Sequence, residues 1–166
     1  VLGLLVRLLQ LMVVDQNFLK VRKFSISIFL FLFFINVSFA ENLNFEKIVD
    51  LNDPWGSTFI NNNKLMISEK GGKIKLINLN SKKISEVDHD LNYLEHGQGG
   101  LLDILFKDNF VYISYSENRG NGKTSTSIAK AKFNKKNLTF KNIFQANPPI
   151  DSGYHFGSRL AIKDNF

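Results

Sequence analysis

The chain has 166 residues, 44% of them hydrophobic and 22% charged, a balance that suits one globular domain with a sizeable core and gives no sign of disorder. It has no cysteine, which removes disulfide frameworks and thiolate metal sites from consideration. The formal charge of +6 does not make a nucleic-acid binder: four of the 21 basic residues and one of the 15 acidic ones precede Glu41, and the later pairs Lys82-Lys83 and Lys135-Lys136 are scattered over turns instead of gathered on one face with stacking aromatics.

Residues 1–19 are largely apolar, interrupted by Arg7, and carry no signal of function; initiation at Met12 or later would account for them. Lys20-Val21-Arg22-Lys23 then precede the uncharged run 24–37 and Ser38-Phe39-Ala40. A basic stretch, a short apolar stretch and small residues before a cut are what export machinery and its peptidase require. The spacing predicts a signal peptide over residues 20–40, cut after Ala40, and a periplasmic or secreted protein that meets a membrane only in transit. An uncleaved anchor is the competing reading, but the run is shorter than the ~20 apolar residues that span a bilayer. Residues 1–40 are therefore set apart as a leader, and 41–166 as the folded domain.

From Asn42 the chain changes to short apolar and β-branched runs between turns rich in Asn, Gly, Ser and Lys, which is strand patterning. Strands are predicted at 57–60, 64–69, 73–79 and 83–87, with turns at Asn61-Asn62-Asn63, Gly71-Gly72 and Asn80-Ser81. A second set is predicted at 101–106, 110–116, 126–133 and 139–145. Four strands in a meander make one blade of a β-propeller, so the fold class is all-β with two blades. A third group begins at 158–162, and Lys163-Asp164-Asn165-Phe166 repeats Lys107-Asp108-Asn109-Phe110 at the same place in the blade plan. Two blades and the start of a third cannot close a ring, so the reading expects the N-terminal part of a longer propeller.

Two glycine-rich turns carry the candidate chemistry. Gly97-Gln98-Gly99-Gly100-Leu101-Leu102-Asp103 places one amide among glycines ahead of an apolar run, and Gly153-Tyr154-His155-Phe156-Gly157-Ser158-Arg159 does the same with one imidazole. Glycines let the backbone turn tightly and approach a ligand. If successive blades set these turns side by side, Gln98 and His155 converge on one mouth, where a polar substrate would be oriented and deprotonated. An imidazole titrates near neutrality and suits the role of general base.

These turns, with Pro54-Trp55-Gly56, Ser68-Glu69-Lys70-Gly71-Gly72 and Val111-Tyr112-Ile113-Ser114-Tyr115-Ser116, resemble the N-terminal part of the soluble sugar dehydrogenases that depend on pyrroloquinoline quinone (PQQ), the glucose/sorbosone dehydrogenase family of six-bladed propellers. The resemblance runs from about Asn52 onward. It implies an oxidoreductase in which His155 takes the C1 hydroxyl proton of an aldose as hydride leaves for PQQ, with Gln98 and Tyr154 at the sugar. It also implies a Ca²⁺ ion that polarises the quinone, an electron acceptor that reoxidises it, and cofactor ligands beyond Phe166, with no metal ligand in this chain. This fragment alone is then expected to be inactive.

Other residues admit two readings. Arg159 is a candidate channel-lining cation, or the partner of a carboxylate on the next blade. Trp55 is expected in the core more than against a sugar. His89 and His96 are expected to be solvated in the polar loop 88–97, and Asp103 to satisfy backbone N–H groups in a turn. Ser158 departs from the family pattern, where Gly is common. The alternative function is a non-catalytic propeller that binds proteins or glycans outside the cytoplasm.

Overall fold

The computed structural model describes residues 43–157 and 159–163, so the predicted signal peptide, Ser158 and the repeated Asp164-Asn165-Phe166 lie outside the described residues. The first blade is an antiparallel meander of β1 (Pro54–Asn61), β2 (Lys64–Glu69), β3 (Lys73–Asn78) and β4 (Lys83–His89). The second comprises β5 (Leu101–Lys107), β6 (Phe110–Asn118), β7 (Thr124–Lys132) and, after a short β8 (Asn137–Leu138), β9 (Lys141–Gln145). These are two successive blades of a β-propeller, and no helix occurs among the described residues.

The turns follow from the residues that occupy them. Asp108 and Asn109 join β5 to β6 with φ of 51° and 63°, the left-handed pair that matches the twist of a tight hairpin and that Asp and Asn tolerate. Between β1 and β2, Asn61 Oδ1 accepts the Asn63 N–H at 3.0 Å.

The core lies between the blades. Met66, Ile74, Leu76 and Val87 of the first pack against Leu101, Ile104, Val111, Ile113, Ala129 and Ala131 of the second. Alternation puts Val111, Ile113 and Tyr115 on one face of β6, opposite Ala131, Ala129 and Ser127 of β7, so a strip of small side chains lets the blades approach. Each fully buried Ile or Leu contributes about 1.5–3 kcal/mol. At the inner edge the contact is closer still: a Cβ on Gly56 would lie 2.7 Å from the Ile104 nitrogen, so β1 rests directly on the β5 backbone. Ser68 Oγ accepts the Gly56 N–H at 3.1 Å and donates to the Leu102 carbonyl, Thr58 Oγ1 accepts the Phe106 N–H at 3.0 Å, and Lys70 O accepts the Leu101 N–H at 3.1 Å.

Three expectations differ from the structure. The predicted strand 139–145 is shortened to β9, and ahead of it an unpredicted β8 leaves the second blade and pairs in parallel with Asp88 and His89 of β4. Trp55 is 45% exposed, because alternation along β1 turns it away from the face on which Gly56 meets the second blade. The segment 159–163 forms no strand; with no second strand beside it among the described residues, no ladder can form.

Candidate functional site

The two glycine-rich turns sit against each other, and the reason is glycine at the contact. A Cβ on Gly97 would lie 2.5 Å from the Gly153 carbonyl oxygen, and one on Gly153 would lie 3.2 Å from the Gly97 Cα. Gly97 has φ of 58°, so it is required for conformation as well as for space. At this contact the Gln98 N–H donates to Gly153 O at 2.7 Å, while the Gly99 N–H closes its own turn on His96 O at 2.8 Å.

This apposition brings Gln98 and His155 together. The backbone N–H of His155 donates to Gln98 Oε1 at 3.1 Å. Because that donor is a backbone amide, the side-chain oxygen must face it and the Gln98 NH₂ is left for other acceptors. Both residues are exposed to solvent. His155 has φ of 64°, a conformation that a non-glycine residue holds only where its surroundings over-determine it. The neighbours supply that constraint: Phe156 is 6% exposed with its ring against Gly99, and its carbonyl accepts Thr126 Oγ1–H at 2.6 Å.

Tyr154 is 59% exposed and its ring centroid lies 6.3 Å from that of His155 at 50°. Arg159 is pulled onto Asp103: its Nη1 lies 3.1 Å from Asp103 Oδ1, and Asp103 Oδ2 accepts the Leu160 N–H at 2.7 Å. Asp103 stands in β5, not in a turn, with 5% of its side chain exposed. An acidic residue directly after Leu101-Leu102 in an apolar run must be paired when buried, which is the signal by which its part could have been found. Thr126, bonded to the carbonyl next to His155, had no such signal.

His89 is not solvated: Nε2 lies 2.8 Å from Gly72 O and Nδ1 accepts the Leu91 N–H at 3.3 Å, so it is a bracket for the β2–β3 turn. His96 is exposed, with its Nδ1 beside Gly153. Among the described residues no group of three or more His, Asp or Glu side chains converges to hold a metal ion.

An exposed imidazole, a phenol and an amide side chain on apposed turns are groups that can orient a polyol hydroxyl and accept its proton. Comparisons with known proteins bear on the family and the fold. The family model described as Glucose / Sorbosone dehydrogenase matches residues 51–166. Aldose sugar dehydrogenase YliI of Escherichia coli (strain K12) is 29% identical over 130 residues, covering 72% of this chain and 35% of that protein. A crystal structure of the soluble aldose sugar dehydrogenase from Escherichia coli in the apo form superposes with a TM-score of 0.62 at 29% identity, over 68% of this chain and 35% of that one. The PQQ-bound aldose sugar dehydrogenase from Streptomyces coelicolor shares the fold at 20% identity and a TM-score of 0.53, over 60% of this chain and 32% of that one. The chain thus spans about a third of the length of the proteins it matches.

Proposed function

The chain belongs to the glucose/sorbosone dehydrogenase family, and from that premise we propose that it carries the substrate-facing mouth of an exported, PQQ-dependent aldose dehydrogenase, with His155 as the general base. The observation that carries the reading is the pairing of Gln98 and His155 on two apposed turns, one ahead of the first strand of the second blade and one after its last. Export rests on the residues 20–40, outside the described part of the chain.

The residues present suit the sugar side of such a site. The Gln98 NH₂ offers donors to a sugar hydroxyl, the Tyr154 ring offers an apolar edge, and the His155 imidazole, exposed and held by its backbone, accepts the C1 hydroxyl proton. As that O–H bond breaks, its electron pair becomes the second bond of the C1 carbonyl and the C1 hydrogen departs with its own pair, so the aldose becomes a lactone. A bound quinone supplies the two-electron sink that no side chain provides. The residues described do not assemble a calcium site, and Arg159 is engaged by Asp103; ligands for the ion and for the quinone carboxylates belong outside this set, and no step here is routed through them.

The test is dye reduction by the full-length natural product, supplied with PQQ and Ca²⁺, on a panel of aldoses. Oxidation that falls by about 10²–10⁴ in His155→Ala supports the base assignment. A product that binds glycans or proteins but neither the quinone nor an electron-accepting dye would point to the binding module instead.

A further inference from the structure

The His155 turn is tied to the second blade on both sides. Upstream, Gly153 O accepts the Gln98 N–H at 2.7 Å. Downstream, Asp103 commits both carboxylate oxygens to one short segment, Oδ2 to the Leu160 N–H at 2.7 Å and Oδ1 to Arg159 Nη1 at 3.1 Å. Between these ties lie two left-handed residues, His155 and Gly157, each with φ of 64°.

A stretch with two left-handed residues has less strained alternatives close at hand, so its geometry persists only if both ends are held. Asp103 is well made to hold one end. It sits in β5, its own N–H donates to Ser114 Oγ at 3.0 Å, and 5% of its side chain is exposed. A carboxylate so buried has no solvent to fall back on and is costly without partners, so releasing the segment would leave it unpaired. The Arg159 side chain, 79% exposed, contributes the weaker part; the backbone N–H of Leu160 is the main tie.

We infer that Asp103 is a positioning residue for His155: from the first strand of the second blade it clamps the downstream end of the turn and so holds the imidazole at the mouth without touching it. The kinetic arm of the test rests on the dehydrogenase reading; the exchange arm does not.

The experiment uses the full-length natural product with Asp103→Asn, which keeps size but trades the charge for a donor facing Arg159, and with Arg159→Gln. Backbone hydrogen exchange is followed at residues 153–157, and sugar oxidation is followed where the wild type shows it. For Asp103→Asn we expect exchange at the His155 N–H to rise at least tenfold with β6 and β7 unaffected, and kcat to fall at least fivefold with KM within twofold. For Arg159→Gln we expect about a threefold rise in exchange confined to the same turn. Exchange within twofold of wild type in both variants overturns the inference, and so does a rise shared equally by β6 and β7, which marks a merely structural residue. If Asp103→Asn does not fold, Arg159→Gln decides alone, with an unchanged turn counting against the clamp. A wild type that oxidises no sugar sinks the dehydrogenase reading and leaves the exchange result to judge the clamp.

Discussion

The side-chain carbonyl of Gln98 accepts the backbone N–H of His155 at 3.1 Å, across 57 positions of sequence and between the turns that precede and follow the second blade. One end of the amide therefore holds the His155 backbone, while its NH₂ is the group proposed to meet a sugar hydroxyl. Gln98→Glu keeps an acceptor for His155 and loses the donors, whereas Gln98→Ala loses both. With each lost bond worth ~0.5–1.5 kcal/mol, kcat/KM is expected to fall several-fold in the first and about tenfold or more in the second. Equal losses in the two variants, measured by dye reduction, would show that the backbone tie contributes nothing.

The left-handed backbone of His155 separates stability from function. His155→Gly removes the Cβ at φ of 64° and is expected to hold or raise stability by up to ~1 kcal/mol while abolishing sugar oxidation. Urea unfolding beside a rate assay checks it. A clear loss of stability would mean that the imidazole has structural partners beyond those described.

Gly97 tests the apposition itself. A methyl group there meets the Gly153 oxygen at 2.5 Å and also demands an unfavourable φ, so Gly97→Ala is expected to cost roughly 2–3 kcal/mol. Chemical denaturation measures the loss, and exchange at the Gln98 N–H should rise with it. The exposed glycine at position 120, whose Cβ position has no atom within 4 Å, is the control for its similar φ of 81°.

Alkaline pH should weaken the fold through Tyr115. Burial raises the pKa of its phenol above the ordinary value, and the phenol O–H donates to Asn142 Oδ1 at 2.8 Å. A folded pKa above the unfolded one means that the native state binds the proton more tightly, so the contribution is complete below about pH 10 and is lost as pH rises through the folded pKa. Melting temperatures between pH 9 and 11 should decline more steeply in the wild type than in Tyr115→Phe, which starts lower for want of the bond to Asn142. Parallel declines would remove Tyr115 from the account.

Most of the strands were legible because alternation and turn chemistry agree: Asp108-Asn109 could only be a hairpin turn, and the apolar runs beside it could only be strands. The blade plan expected Gln98 and His155 to converge if successive blades set their turns side by side, and the two turns do meet. What escaped was long-range and small. Asn137–Leu138 reads as part of a lysine-rich turn, and nothing local says that its ladder partner is β4 of the other blade. His89 was read from its polar neighbours, but its surroundings are set by the Gly72 carbonyl, brought to it by the β3–β4 hairpin. Trp55 was read from its residue type, whereas its exposure follows from which side of β1 meets the second blade.

The β8 detour makes the repeat unit of the sequence and the melting unit of the molecule different things. Because Asp88 N–H bonds to Lys136 O at 2.9 Å and Leu138 is 1% exposed in the core, the second blade hands two residues to the first before finishing its own sheet. The blades are stitched rather than stacked. A hinge engineered into the linker 90–100 would not release two modules, and calorimetry should record this pair as one transition rather than two.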